Sequence, residues 1–283
     1  MKKAFCAFLT LLICCQAAAG CAAGNGEKLR FKEAPGGYAL YRYKGVSSVT
    51  SFRVPDEYGG RPVVEILDFA LANAEYLTSI RIGKNIAAIG EWAFTNSQKL
   101  AAFDVDPANT RFVSVDGILY TKDMTQLVAY PNAKTPLVTG KDGKTAGGAS
   151  VEVPAGVKTI RANAFYTCAN LYKITFPEGL EHIGNKAFIK CANLQSFILP
   201  ESLKTIGVDA FSFCDSLTAV TIPAGVTSIG DYAFFSMSSS IEKNVIRRPG
   251  PEGLTLGKDW LPNQKGSVEK KAEVIYRPGE AKP

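Results

Sequence analysis

Side chains able to do acid–base, nucleophilic or metal chemistry are few. His182 is the only histidine among 283 residues. It sits just before Ile183 at a position filled elsewhere by Thr159, Thr205 and Ser228, so no metal set or catalytic partner accompanies it and a solvated surface histidine is expected. Gly-rich phosphate loops, HExxH and CxxC pairs are absent from the sequence, and carboxylates such as Asp209 and Glu152 are scattered. The reading is of no enzyme, no cofactor and no metal site. The net charge of +6, with acids and bases mixed along the chain, argues against a nucleic-acid partner. Hydrophobic residues at 46% supply a large core and exclude disorder throughout.

The elements that would have to position any site follow a repeat. Leu77 and Leu100, then Leu171, Leu194 and Leu217, fall on a 23-residue step. The pairs Ala93-Phe94, Ala164-Phe165, Ala187-Phe188, Ala210-Phe211 and Ala233-Phe234 obey the same step, with Ala70-Leu71 as a weaker first member. Ile89-Gly90, Ile183-Gly184, Ile206-Gly207 and Ile229-Gly230 form another column, and Pro154, Pro177, Pro200 and Pro223 a further one. The unit LxxIxIPxxVxxIGxxAFxxCxx recurs about six times, and such a fixed period is the signature of stacked coils.

Each column has a physical reading. LxxIxI ends in period-two alternation, as in a short strand with one buried face. Pro cannot donate to a sheet ladder and marks the corner where each strand ends. VxxI forms a second short extended segment, and AFxxC a short helical one. Leu67 and Arg161 replace Gly in otherwise matching units, so that column signals tight packing or a bend and not a need for positive φ. Cys168, Cys191 and Cys214 share an inward column. Matching atoms of stacked coils lie about 4.8 Å apart, too far for disulfide Cβ atoms near 3.8 Å, so buried thiols are expected in preference to disulfides or metal ligands.

The N-terminus reads Met1-Lys2-Lys3, an apolar run from Ala4 to Ala19, then Gly20 and Cys21. That is the order of an export signal and too short to span a bilayer comfortably. Ala18-Ala19-Gly20-Cys21 resembles a relaxed bacterial lipobox, which implies lipid attachment at Cys21. Acyl chains contributing about 0.8 kcal/mol per buried CH₂ would hold the mature chain on a membrane. Ordinary cleavage near Ala19, leaving a soluble product, is the alternative.

Taken together, the repeat resembles the BspA-like, Treponema-type class of bacterial leucine-rich repeats over about residues 29 to 240. The resemblance implies an α/β-type leucine-rich repeat solenoid with a parallel sheet on its concave face. It also implies a β-rich N-terminal cap, carried by Phe31-Lys32-Glu33, Gly36-Gly37-Tyr38 and Gly59-Gly60-Arg61-Pro62-Val63, and a β-hairpin insertion from Phe112 to Pro131. Asp116-Gly117 between alternating apolar residues supports a tight hairpin turn independently. Expected boundaries are a signal peptide (1–20), an anchor segment and cap (21–48), a first repeat block (49–108), the insertion and an exposed loop (109–150), a second block (151–240), and a C-terminal cap and tail (241–283). The loop would let the two blocks bend.

Function is sought on outward columns. On the strand face these hold Thr78, Ser79, Arg81; Ala101, Ala102, Asp104; Ala149, Ser150, Glu152; Tyr172, Lys173, Thr175; Gln195, Ser196, Ile198; and Thr218, Ala219, Thr221. Tyr172 and Ile198, flanked by Lys173 and Gln195, are the expected contact centre, or else they fill an uneven surface. Arg81 and Asp104 are expected to pair as solvated structure. A second outward column, Phe69, Trp92, Asn163, Lys186, Asp209, Tyr232, has aromatics toward both ends, where caps would cover them; exposed contiguous aromatics would reverse that. Family resemblance implies a membrane-anchored protein that binds other proteins, as in adhesion to host or extracellular-matrix proteins. The rival is a periplasmic scaffold or carrier gripping a lipid or other hydrophobic ligand, which needs a deep apolar pocket around Tyr172 and Ile198.

Overall fold

The computed structural model describes residues 28–45, 47–134, 148–217, 219–235, 245–248, 254–258 and 273–276. Expectations for the signal peptide, Cys21, Thr218 and most of the loop before Gly148 fall outside these residues. The described chain winds as a β-solenoid in which each coil contributes to two parallel ladders, as the period requires.

The LxxIxI segments build the strand face. Ser51–Arg53, Ser79–Ile82 and Ala102–Val105 pair in parallel, with Phe52, Ile80 and Phe103 on successive rungs. Ala149–Glu152 pairs with Leu171–Thr175, and a single bridge, Lys173 to Ser196, carries the face one coil further. The register slips between Ala149 and Ser150, so Ala149 lies opposite Leu171 and is buried. It therefore occupies the inward Leu column, not the outward position expected for it.

The VxxI segments build the second ladder: Thr159–Ile160, His182–Ile183, Thr205–Ile206, Ser228–Ile229 and Thr255–Leu256 stack in parallel. The last rung corrects the expectation that coiling stops near Ser240. Val245–Arg248 likewise adds to Ala219–Thr221, and Glu273–Tyr276 to Val245–Arg248, so longer turns with a looser sequence pattern continue the stack.

No helix forms in the third segment among the described residues, contrary to the AFxxC reading. Left-handed φ appears instead at one or two residues of each coil: Phe69, Asn163, Lys186, Asp209 and Tyr232 before the Ala, and Asn73, Asn96, Thr167, Lys190 and Phe213 further on, all between 54° and 60°. These interrupt any i to i−4 bonding and turn the amides toward the next coil. Phe165 N donates to Ala187 O, Phe188 N to Ala210 O and Phe211 N to Ala233 O, each at 2.7–2.8 Å. On the VxxI flank the direction reverses, since Gly184 N donates back to Ile160 O and Gly207 N back to Ile183 O.

Packing explains the Gly column. A Cβ on Gly184 or Gly207 would lie 2.5 Å from the amide nitrogen of the preceding coil, and on Gly230 2.4 Å. Leu67 and Arg161 are tolerated because the layers before them are not coils of this shape; Leu67 N bonds Leu40 O of the N-terminal hairpin and Arg161 N bonds Leu127 O of the insertion. Inside, Tyr130, Phe165, Phe188, Phe211 and Phe234 stack face to face at 4.8, 4.8, 5.0 and 5.4 Å. Tyr130 extends the Phe column into the insertion. Burying each ring contributes about 1.5–3 kcal/mol.

At the N-terminal end, the antiparallel hairpin of Lys28–Ala34 and Gly37–Lys44 joins the ladder through Arg61–Ile66. Between the blocks, Phe112–Val115, Ile118–Thr121 and Gln126–Ala129 form a meander whose last strand pairs in parallel with Thr159–Ile160. Its side chains serve two cores: Phe112, Leu119 and Val128 pack with the first block, Ile118, Tyr120 and Leu127 with the second. Further links tie the blocks together, including Gln98 Nε2 to Thr167 Oγ1 at 2.8 Å and Arg161 Nη2 to Ile89 O at 3.0 Å. The expected bending hinge is thus bridged by a two-sided sheet and cross-block hydrogen bonds.

Candidate functional site

On the strand face of the second block, Tyr172, Lys173, Thr175, Gln195, Glu152 and Ile198 all face solvent, Ile198 at 85% exposure. The register separates the intended pair. Gln195 N bonds Tyr172 O, and Lys173 bridges Ser196, so Gln195 neighbours Tyr172, while Ile198 continues the Glu152–Thr175 column. Tyr172 and Ile198 therefore lie diagonally across one rung. Neither lines either of the two clefts described below.

Arg81 and Asp104 do pair, at 2.6 Å, inside a larger charge network. Arg81 also reaches Asp106 at 3.4 Å, and Arg53 bridges Asp56 at 2.6 Å and Asp106 at 3.9 Å. The Ala108 amide, aided by the Arg81 and Arg53 guanidiniums, holds the Asp106 carboxyl below the usual carboxylate range. With each of its two arginines and three aspartates paired inside it, this network reads as structure. His182 likewise faces solvent, its Nδ1 2.9 Å from Thr205 Oγ1 on the next rung. Among the described residues no three His, Cys, Asp or Glu side chains gather for a metal.

The turn flank differs from expectation. Phe69 is 58% exposed and stacks on Trp92 at 5.5 Å. Trp92 meets Tyr166 edge-on at 5.9 Å, and Lys186 Nζ lies 5.1 Å over the Trp92 ring. The aromatics are thus contiguous across the block junction, with Phe69 exposed and Trp92 and Tyr166 half-buried, and are not closed off by a cap. Phe69 holds a left-handed φ of 60°, which costs a bulky residue about 1–2 kcal/mol. Beside it, a cleft of about 600 Å³ is lined by Tyr41, Tyr43, Phe69 and Tyr76 with Arg42 and Lys44.

Cys168, Cys191 and Cys214 are free, fully buried thiols. Cys191 Sγ donates to Phe165 O and Cys214 Sγ to Phe188 O, both at 3.2 Å, and Cys168 Sγ to Asn132 Oδ1 at 3.4 Å. Burial pushes all three up. They belong to the core.

Sequence reading missed Asn109, which occupies the inward column of Ile86, Leu180, Leu203 and Val226. It is 1% exposed, donates to Gly83 O and Ile86 O, and accepts from the Arg111 and Phe112 amides at 2.8 Å. Its spacing of 23 from Ile86 was the available signal. In a regular coil the counterpart of the Arg111 amide bonds the previous coil, as His182 N bonds Lys158 O; here Asn109 takes it, and the ladder splits. The split opens a cleft of about 590 Å³ between Ala87–Ile89 and the meander.

Parallel ladders on two flanks, a repeated core and uneven outward columns define a repeat scaffold whose surfaces are available for recognition. The chain belongs to the BspA-type leucine-rich repeat family, whose model matches residues 40–115 and 145–248 in six copies. Such repeats are protein-interaction scaffolds. The chain is also similar to several solved structures. A leucine-rich repeat protein of T. pallidum is 24% identical, over 83% of this chain and 80% of its own, with a TM-score of 0.38. A leucine-rich cell surface protein of Faecalibacterium prausnitzii is 16% identical, over 85% and 94%, with a TM-score of 0.47. A leucine-rich repeat protein from Bacteroides ovatus is 22% identical, over 82% of this chain and 60% of its own, with a TM-score of 0.46. No curated protein matches.

Proposed function

We propose that the chain is exported, held on a bacterial membrane through lipid on Cys21, and attaches there to a protein partner such as a host or extracellular-matrix protein. The observation that carries the recognition part is the stack of exposed Phe69 on half-buried Trp92, with Tyr166 and Lys186 at its end, since aromatic anchors dominate binding energy. Tyr172, Lys173, Gln195 and Ile198 form a second, smaller contact patch on the strand face. A lipid or hydrophobic carrier is the weaker reading, because the Ile198 side chain projects outward and the Ala87–Ile89 cleft is lined by charged groups.

Two measurements test this. Cys21→Ala leaves the coils folded and moves the chain from the detergent phase to the aqueous phase; retention in detergent refutes the anchor. Phe69→Ala with Trp92→Ala lowers attachment of the purified chain to matrix- or cell-coated surfaces by about 30-fold or more, the loss of about 2 kcal/mol or more typical of a hot spot. Unchanged attachment by a folded double variant refutes the aromatic face as the contact.

A further inference from the structure

The split in the second ladder leaves a strand edge without a neighbour. Ala88–Ile89 pairs in parallel with Glu65–Ile66 on one side. On the other, no strand pairs with it among the described residues, and its one bond there is Arg161 Nη2 to Ile89 O. Elsewhere the corresponding carbonyls are taken by the next coil: Lys158 O accepts from Glu181 N and His182 N, and Ile160 O from Gly184 N. The next coil here would supply Thr110 and Arg111, but Asn109 Oδ1 has captured the Arg111 amide. A side chain thus stands in for one missing backbone donor, and the Ala87 carbonyl, the counterpart of Lys158 O, is left facing a gap in the ladder.

Charge at this gap has one sign. Arg111, Lys122 and Arg161 line the cleft, and none of the three is in an ion pair with a described residue. Asp123, the one acid in the lining, is committed locally: its Oδ1 accepts from the Thr121 hydroxyl at 2.6 Å and from the Thr125 amide and hydroxyl at 3.1 and 2.9 Å. Those bonds, the Thr121 hydroxyl foremost, hold it ionised and turned to its own loop. Burial works against the Arg161 charge and the Glu91 and Asp68 carboxylates offset it only in part, so an incoming anion would relieve a standing cost. About 590 Å³ is within the range that ligand sites occupy, about 300–1,000 Å³.

We infer that this cleft takes an extended, acidic peptide segment of a partner protein, which adds as a strand to Ala87–Ile89 and sets its carboxylates against Arg111, Lys122 and Arg161. Main-chain bonding supplies affinity and alternate side chains supply selectivity, the mode of strand addition at a sheet edge. This deepens the reading of the chain as a protein-binding scaffold and gives it a second, chemically distinct contact.

The test uses the full chain and a fluorescein-labelled octapeptide of alternating Glu and Val, read by fluorescence polarisation. Controls are the same peptide with Lys for Glu, the same peptide with alternate backbone amides N-methylated, and heparin as a polyanion without a peptide backbone. Binding of the Glu–Val peptide, weakened about tenfold or more by Arg111→Glu with Lys122→Glu and by N-methylation, is the expected result. Absence of binding, or binding that the N-methylated peptide or heparin matches, overturns strand addition. Because both charge reversals are on the surface, circular dichroism and an unchanged urea midpoint verify folding. Phe69→Ala with Trp92→Ala leaves peptide binding intact, so loss of surface attachment in that variant and loss of peptide binding in the charge variant report on the two readings separately.

Discussion

Asn109 and the three cysteines show how a column fixes a residue's environment and leaves its chemistry to the side chain. The cysteines were legible from sequence, because an inward column of small residues beside Phe has no geometry for a disulfide. Asn109 was not, since a polar residue at an apolar position reads as the end of a repeat until its four hydrogen bonds are seen. For the thiols, burial raises the energy of the thiolate, and only thiolate reacts. Cys168, Cys191 and Cys214 should therefore resist alkylation at pH 8 in the native chain and label completely in urea, as mapped by peptide mass. Rapid native labelling of Cys191 would mean that the coils open there. Left-handed residues before the Ala were signalled by Asn163 and Asp209, types enriched in that region, but Lys186, Phe69 and Tyr232 share the conformation without carrying the signal.

Elements were more legible than their third side. Alternation and proline placed both ladders, and the exceptions at Leu67 and Arg161 gave the correct meaning of the Gly column before any contact was visible. The AFxxC segment misled because Ala, Phe and Cys at close spacing look helical, whereas bonding to the next coil competes with bonding along the segment and wins in a stack. Gly207→Ala tests the close approach. Its Cβ would meet Asn185 N at 2.5 Å and Gly184 C at 2.6 Å, both backbone, so the coils must separate. A loss of about 1–3 kcal/mol in urea unfolding is expected. An unchanged midpoint would show that neighbouring coils shift freely.

At the scale of the molecule, the meander decides whether there are two stacks or one. Its middle strand sends Leu119 into one core and Ile118 and Tyr120 into the other, so the insertion is a shared wall. Sequence showed a hairpin there but not which core each side chain would join, because an insertion carries no period from which to read a face. Tyr120 offers a probe of that wall. It is 1% exposed, and burial, with the Asp116 charge and Tyr130 adding to it, pushes its phenol up to about 12 from an ordinary value near 10. A raised phenol favours folding in its protonated form; that contribution is complete below pH 10 and fades as pH climbs toward 12. Stability in urea measured at pH 9 and pH 11.5 should fall in the parent by about 2 kcal/mol more than in Tyr120→Phe. Equal slopes in the two proteins would place Tyr120 outside the folded core at high pH.

The opposed bonding of the two flanks has an electrical result. Amides on the Phe side point toward the C-terminal coils and those on the Gly side toward the N-terminal coils, so their dipoles largely offset along the stack. Lengthening such a stack by another turn therefore adds little field at its tips, and the array can grow or shrink without gathering many more counter-ions at either pole.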